Sequence, residues 1–145
     1  MYPAVREGFL LTRDTVAARL GIVILAVTDL PRAVAFYRSA FDWPIDVDTP
    51  VYVEFHLPAG MRLGLYQRDA FARNLGQAPH QIPAGALAAT ELYLFPDHLE
   101  AVAERLASAG GRLLSALARR DWGDEVAYFA DPDGNILALA RSPGT

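Results

Sequence analysis

Gly21-Ile22-Val23-Ile24-Leu25-Ala26-Val27, then Thr28-Asp29-Leu30-Pro31, then Arg32–Ala40: this stretch decides the fold, because its pattern returns in the second half. There Glu91-Leu92-Tyr93-Leu94-Phe95 is followed by Pro96-Asp97-His98-Leu99 and by Glu100–Ala109, and Ala33-Val34-Ala35 reappears as Ala101-Val102-Ala103. Ile22–Val27 is short, apolar and rich in β-branched residues, which predicts a strand buried on both faces. Asp29 suits a helix N-cap and Pro31 a first helical turn. Val34, Phe36, Tyr37 and Phe41 fall at helical spacing, so one face of this helix packs on a sheet. The second helix, Leu99–Ala109, carries Val102 and Leu106 at i and i+4 and is closed by Gly110-Gly111. A duplicated strand–helix–strands unit gives the chain two half-sites, and any site is expected between them.

Working outward, Trp43-Pro44 ends the first helical segment. Val51–Leu57 alternates, with Val51, Val53, Phe55 and Leu57 on one face and Tyr52, Glu54 and His56 on the other. Pro58-Ala59-Gly60 reads as a hairpin loop, and Met61–Gln67 alternates again, with Arg62, Gly64 and Tyr66 opposed to Met61, Leu63 and Leu65. The two strands are expected to pair and to merge their polar and aromatic faces. Arg68–Ala89, punctuated by Gly76, Pro79, Pro83 and Gly85, is a linker with a helical turn near Ala70–Asn74. Arg112–Leu117, Glu125–Ala130 and Ile136–Ala140 are strands, the last two joined by the turn Asp131-Pro132-Asp133-Gly134-Asn135. Residues 1–20 form an N-terminal extension with strand character at Phe9-Leu10-Leu11 and a helical turn at Thr15–Leu20. The division is therefore 1–20 extension, 21–67 first module, 68–89 linker, 90–141 second module and 142–145 tail, an α+β chain.

Composition narrows the function. The 145 residues are 52% hydrophobic, enough for a core, and no apolar run approaches the roughly 18–20 residues that span a bilayer. Arg6, Glu7, Arg13 and Asp14 interrupt any signal-peptide core, so the expected compartment is the cytoplasm. With no cysteine, thiolate metal sites, disulfides and cysteine nucleophiles are excluded. A net charge of −4 without a basic run argues against nucleic acid and favours a cationic over an anionic small molecule. There is no glycine-rich phosphate loop, nucleophile elbow or His-Glu-x-x-His.

Asp29-Leu30 with Phe36-Tyr37, and Tyr128-Phe129-Ala130-Asp131-Pro132-Asp133-Gly134-Asn135, make the sequence resemble the vicinal oxygen chelate superfamily of glyoxalase I, extradiol dioxygenases and the fosfomycin and bleomycin resistance proteins. The resemblance spans Ile22–Ala140. It implies two tandem βαβββ modules whose mixed sheets curl into a cup, with helices on the outer face. In metal-using relatives the cup holds a divalent ion on His, Glu or Gln from the first and last strand of each module. Carried over, those positions fall on Ile22, Gly64, Glu91 (or Thr90, if the alignment is anchored on Ala-Val-Ala) and Ala138. Three of the four cannot ligate a metal, whereas zinc catalytic sites and iron oxygenases use about three protein ligands. The expectation is no metal and no other cofactor.

Residues that can still act are Glu54 and His56, roughly 6.5–7 Å apart along one strand face. They form either a plain polar face, a binding wall or a base with its orienting partner. Glu91 is either an exposed strand-start carboxylate or a cup residue that accepts from a ligand amine or pairs with Arg62. Tyr52, Tyr66, Tyr93, Phe95 and Trp122 are core packing or pocket wall, and Trp122, in the turn Asp121-Trp122-Gly123-Asp124, can lid the opening. His80 and His98 read as surface residues. The favoured ligand-binding set is Tyr52, Glu54, His56, Arg62, Tyr66, Glu91, Tyr93 and Trp122, with no catalytic residue assigned. The expected partners are a cationic or aromatic small organic ligand and a second copy of the chain, not nucleic acid or membrane. The alternatives are a glyoxalase-like lyase or dioxygenase with a metal displaced onto His56, Glu54 and Glu91, and an interaction module built for dimerisation.

Overall fold

The computed structural model describes residues 16–144. Its strands are β1 (Val23–Val27), β2 (Ile45–Asp48), β3 (Tyr52–His56), β4 (Arg62–Gln67), β5 (Glu91–Leu94), β6 (Arg112–Arg119), β7 (Glu125–Ala130) and β8 (Ile136–Arg141). Its helices are α1 (Leu30–Phe41), α2 (Arg68–Leu75) and α3 (Leu99–Ser108). They build two four-stranded mixed sheets of the same topology, β1-β4-β3-β2 and β5-β8-β7-β6. In each the first strand runs parallel to the last, and the remaining neighbours are antiparallel. This is the duplicated unit expected from the sequence, and the sheets do not close on each other.

Local chemistry sets the elements. Asp29 Oδ1 accepts from the Arg32 amide at 3.1 Å, and Pro31 sits in the first turn of α1. α1 stops at Asp42, whose backbone is left-handed at φ 58°. β3 and β4 alternate as read: Val53, Phe55, Leu63 and Leu65 enter the core, while Tyr52, Glu54, Gly64 and Tyr66 face away from α1 and α3.

One core holds the modules together. Side chains of β1, β3 and β4 meet those of β7 and β8 around the apolar faces of α1 and α3. Tyr37 sits at its centre, wholly buried. Its ring packs edge-on to Phe36 at 5.1 Å, stacks on Phe41 at 6.1 Å and meets Phe55 at 6.4 Å. Its hydroxyl crosses to the second module and donates to Asp131 Oδ2 at 2.6 Å. Asp131 Oδ1 accepts the amides of Asp133 (2.9 Å) and Asn135 (2.8 Å), which fixes the turn between β7 and β8. Burial pushes the Tyr37 phenol well up, and Asp131 adds to it; burial also raises the Asp131 carboxyl against the lowering effect of its hydrogen bonds.

The structure departs from the sequence reading in several places. β1 is buried on one face only: Leu25 and Val27 enter the core, while Ile24 is exposed on the face turned away from the helices, opposite Gly64. β2 is the strand between helix and hairpin that a βαβββ module requires and that the alternation did not locate, since Asp46, Val47 and Asp48 are all exposed. The turn expected near Ala70–Asn74 is a two-turn helix ended by Gly76 at φ 82°. β6 runs two residues past Leu117, to Arg119, with register shifts against β7. Of the helical turn at Thr15–Leu20, residues 16–20 carry no helix; Val16 and Leu20 are exposed, and so short a segment needs packing to hold one. The strand at Phe9-Leu10-Leu11 lies outside the described residues.

Candidate functional site

The faces turned away from α1 and α3 carry the candidate residues. In the first sheet, the register sets Tyr52 opposite Tyr66, Glu54 opposite Gly64 and His56 opposite Arg62. Five of the eight favoured residues thus share one face. Glu54 is buried, 4% exposed, where a plain polar strand face would leave it open to water. Its Oε1 accepts from the Tyr52 hydroxyl at 2.7 Å and its Oε2 from Arg62 Nη1 at 3.0 Å. Arg62 Nη2 reaches Asp46 on β2 at 3.5 Å, so the guanidinium is held between two carboxylates of its own module and does not pair with Glu91. Burial raises the Tyr52 phenol, and the hydrogen bond to Glu54 raises it further. Tyr66 meets Tyr52 edge-on at 5.1 Å, and its hydroxyl accepts from Asn74 Nδ2 of α2 at 2.7 Å. His56 is exposed and not hydrogen-bonded to Glu54.

Gly64 explains how Glu54 becomes buried. A Cβ built there would overlap the Tyr52 hydroxyl and lie 2.7 Å from Cε1 and 2.8 Å from Cζ. Nothing about its dihedrals demands glycine, as its φ is not positive. The missing side chain is the space in which the Tyr52 phenol lies across the strand and covers Glu54.

The second wall is built differently. Tyr93 and Tyr128 both stand opposite Ala138, beside Val126 and Ala140. The Tyr93 hydroxyl donates to Asp124 Oδ2 at 2.6 Å and accepts from Trp122 Nε1 at 2.8 Å. Burial and the Asp124 hydrogen bond raise its phenol. Phe95 meets Tyr93 edge-on at 5.4 Å, and Phe95 and Trp122 are 62% and 58% exposed, an aromatic rim on this wall. The Arg120 guanidinium lies 5.1 Å over the Tyr128 ring. Glu91 is exposed and stands opposite Ile136.

The two registers decide the position that sequence left ambiguous. Ile24 faces Gly64 in the first sheet as Tyr93 faces Ala138 in the second, so two residues earlier Ile22 corresponds to Glu91 and not to Thr90. The four positions that carry metal ligands in the resembled superfamily are therefore Ile22, Gly64, Glu91 and Ala138. They offer one carboxylate, and the nearest further carboxylate in the first wall, Glu54, is already bonded to an arginine. Among the described residues no three His, Asp or Glu are grouped to hold a metal ion. A divalent cation does not fit this donor set.

Sequence reading missed Asp46, Asn74 and Asp124, the partners that orient Arg62, Tyr66 and Tyr93. Their signal was weak: a short polar strand, a linker helix and a turn. Two cavities, of about 560 and 610 Å³, indent the described residues, and none of the eight favoured residues lines either. Within one chain the two walls remain separate.

Residues 20–143 match the family model described as a glyoxalase-like domain. Among solved structures, a glyoxalase-related enzyme from Fulvimarina pelagi is 24% identical with a TM-score of 0.77, over 88% of this chain and 90% of that one. A glyoxalase/bleomycin resistance protein/dioxygenase from Nocardioides is 20% identical with a TM-score of 0.72, over 97% and 98%. A lactoylglutathione lyase from Agrobacterium tumefaciens is 21% identical with a TM-score of 0.64, over 86% and 93%. At these identities the likeness is one of fold. No curated protein matches the chain. The family match covers both modules and the linker between them, and the chain belongs to the glyoxalase-like domain family.

Proposed function

We propose that this protein binds a small organic molecule between its two kinds of wall without a resident metal, as a binding protein and not a metalloenzyme. The observation that carries this reading is the filling of the Gly64 position by the Tyr52 phenol, bonded through Glu54 to Arg62. Where a metal ligand would project, a neutral hydroxyl lies instead, and an arginine beside it opposes a second cation.

The walls favour a ligand with a flat apolar body and a hydrogen-bond-donating end. Tyr93, Phe95 and Trp122 supply ring faces and edges, and Glu91 supplies an exposed carboxylate. In one chain these surfaces are open, so the working assembly in this proposal is a homodimer in which a second copy covers Ile24, Phe95 and Trp122. The competing reading, a lyase or dioxygenase with its metal on Glu54, His56 and Glu91, would place the ion on a carboxylate whose two oxygens already accept from Tyr52 and Arg62, beside an arginine whose charge opposes it.

Native mass spectrometry of the isolated protein, combined with elemental analysis, tests the proposal. The expected result is a dimer without stoichiometric metal, with thermal shifts from flat aromatic amines that Glu91→Ala or Trp122→Ala diminishes. About one equivalent of zinc, iron or manganese, lost in His56→Ala, would establish the competing reading. Shifts unchanged in both variants would dismiss the proposed walls.

A further inference from the structure

We propose that the cavity of about 560 Å³ beneath the linker, which none of the favoured wall residues lines, binds a small organic anion through Arg32, Arg68 and Arg112. The cavity lies between the first turn of α1, the start of α2, the start of β6, linker residues 79–88 and the turn 130–135. Its volume is within the range of small-molecule sites.

The linker is fastened as a strap over this space. Ala88 donates to the Gly134 carbonyl at 2.9 Å, and Arg112 Nη2 donates to the Gly85 carbonyl at 2.9 Å. Arg68 Nη2 donates to the Pro79 carbonyl. Gly134, at φ 85°, is what permits the close approach: a Cβ there would stand 2.5 Å from the Ala86 carbonyl oxygen and 3.3 Å from the Ala88 nitrogen. Pro79, Ile82, Pro83 and Pro132 give the cavity apolar walls for the body of an organic molecule.

Charge decides what that molecule is. Arg68 and Arg112 bond neutral carbonyls, which leaves their charge uncompensated and most of their five N–H donors available. Among the described residues the Arg32 side chain makes no hydrogen bond or ion pair, and the ion pairs involve only Arg62 and Arg141 on the basic side. The two lining carboxylates are taken by neutral donors of the fold: Asp131 by Tyr37, Asn135 and two backbone amides, Asp133 by the Thr28 amide at 2.9 Å. Three arginines against two aspartates leave the cavity at +1, before His80 is counted, in a chain whose net charge is −4. The α1 amides are not the ligands, since Gln67 Oε1 takes that of Leu30 and Asp29 that of Arg32. Guanidinium forks remain, and they match carboxylate and phosphate oxygens.

Isothermal titration calorimetry at low salt with succinate, glycerol 3-phosphate and neutral succinamide tests this. At least one anion is expected to bind and succinamide not to; which anion binds distinguishes a carboxylic acid from a phosphate ester. Arg32 is exposed and, among the described residues, its side chain bonds nothing, so Arg32→Gln is expected to leave the fold intact. It is expected to weaken binding about tenfold or more, the loss of one charge-assisted hydrogen bond. Arg38→Gln, on the same helix but outside the cavity, is expected to change it less than about twofold. Absence of heat with both anions, equal binding of succinamide, or equal weakening by Arg32→Gln and Arg38→Gln would each overturn the proposal.

Discussion

Replacing Gly64 by alanine asks the first sheet to hold one more carbon where the Tyr52 phenol now lies. The new Cβ would stand 2.7 Å from Cε1 and 2.8 Å from Cζ of that ring, well inside contact distance, so the ring must swing out and release Glu54. Three magnitudes combine. Overpacking costs about 1–3 kcal/mol. Loss of a hydrogen bond to a buried charged group costs about 1.5–3 kcal/mol. Replacing a strand glycine with normal dihedrals returns about 0.5–1 kcal/mol. The net is a loss of about 3 kcal/mol. At about 2.1 cal/mol/K per residue the 145-residue chain has an unfolding entropy near 0.3 kcal/mol/K, so Tm falls by about 10 °C.

The control reverses the sign. In Tyr52→Ala the obstructing ring is gone, and adding Gly64→Ala is expected to raise stability by about 0.5–1 kcal/mol, the strand-glycine effect alone. Urea unfolding of the four proteins closes a double-mutant cycle with a coupling of about 3.5–4 kcal/mol, the loss with Tyr52 present plus the gain without it. A cost below about 1 kcal/mol in the otherwise native chain, or an equal cost with and without Tyr52, would refute the idea that Gly64 makes room for the phenol.

Dialysis against EDTA is expected to leave Tm unchanged, and zinc or manganese titration to give no saturable heat, because the donor set lacks about three ligands of the right type. Tyr37→Phe removes a buried hydrogen bond between the modules and leaves a buried carboxylate short of one donor, an expected loss of about 2 kcal/mol in chemical unfolding. Asp131 has its carboxyl raised in the native state, so that state holds the proton more tightly than the unfolded chain; its contribution to stability is present below the ordinary carboxylate range, near 4, and is lost as pH rises through the raised value. Asp131→Asn, which cannot titrate, should therefore lack that component when urea midpoints are compared from pH 4 to 7. Tyr93→Phe frees the Trp122 indole from its acceptor; the expected readout is changed tryptophan emission with under about 1 kcal/mol lost, since both groups are partly exposed.

What the sequence made legible was local or periodic. The Asp29 cap, the alternation of β3 and β4, and the return of the pattern at Glu91 each need only neighbours along the chain. The βαβββ resemblance implied a strand where β2 lies, but the residues did not locate it: Asp46, Val47 and Asp48 are all exposed, so no burial pattern marks it. α2 buries only Ala70, and its glycine and proline neighbours resemble a loop. Alternation placed Glu54 on the correct face but could not give its depth, which depends on a tyrosine folding over a glycine of the neighbouring strand. The Tyr37–Asp131 bond links residues 94 apart, and nothing in either local pattern specifies it.

The first wall is not where the fold gains its stability. The shared core lies on the other side of the sheet, around Tyr37, and is complete without Glu54 or Arg62. A buried carboxylate paired with an arginine is a poor source of folding energy, because desolvation offsets most of the attraction. What the arrangement does fix is direction. Glu54 accepts the hydrogen bond of the Tyr52 hydroxyl, which leaves the phenol oxygen free to accept from a group outside the sheet. Arg62, held by Glu54 and Asp46, is kept from turning a strong donor towards that same point. The wall therefore offers an acceptor and withholds a cation, the polarity that the donor end of the proposed ligand needs. Tyr52→Phe removes the acceptor while leaving the ring in place. If the binding proposal is right, that variant loses affinity for an aromatic amine more than for its neutral isostere; an equal loss for both would show that the hydroxyl serves packing alone.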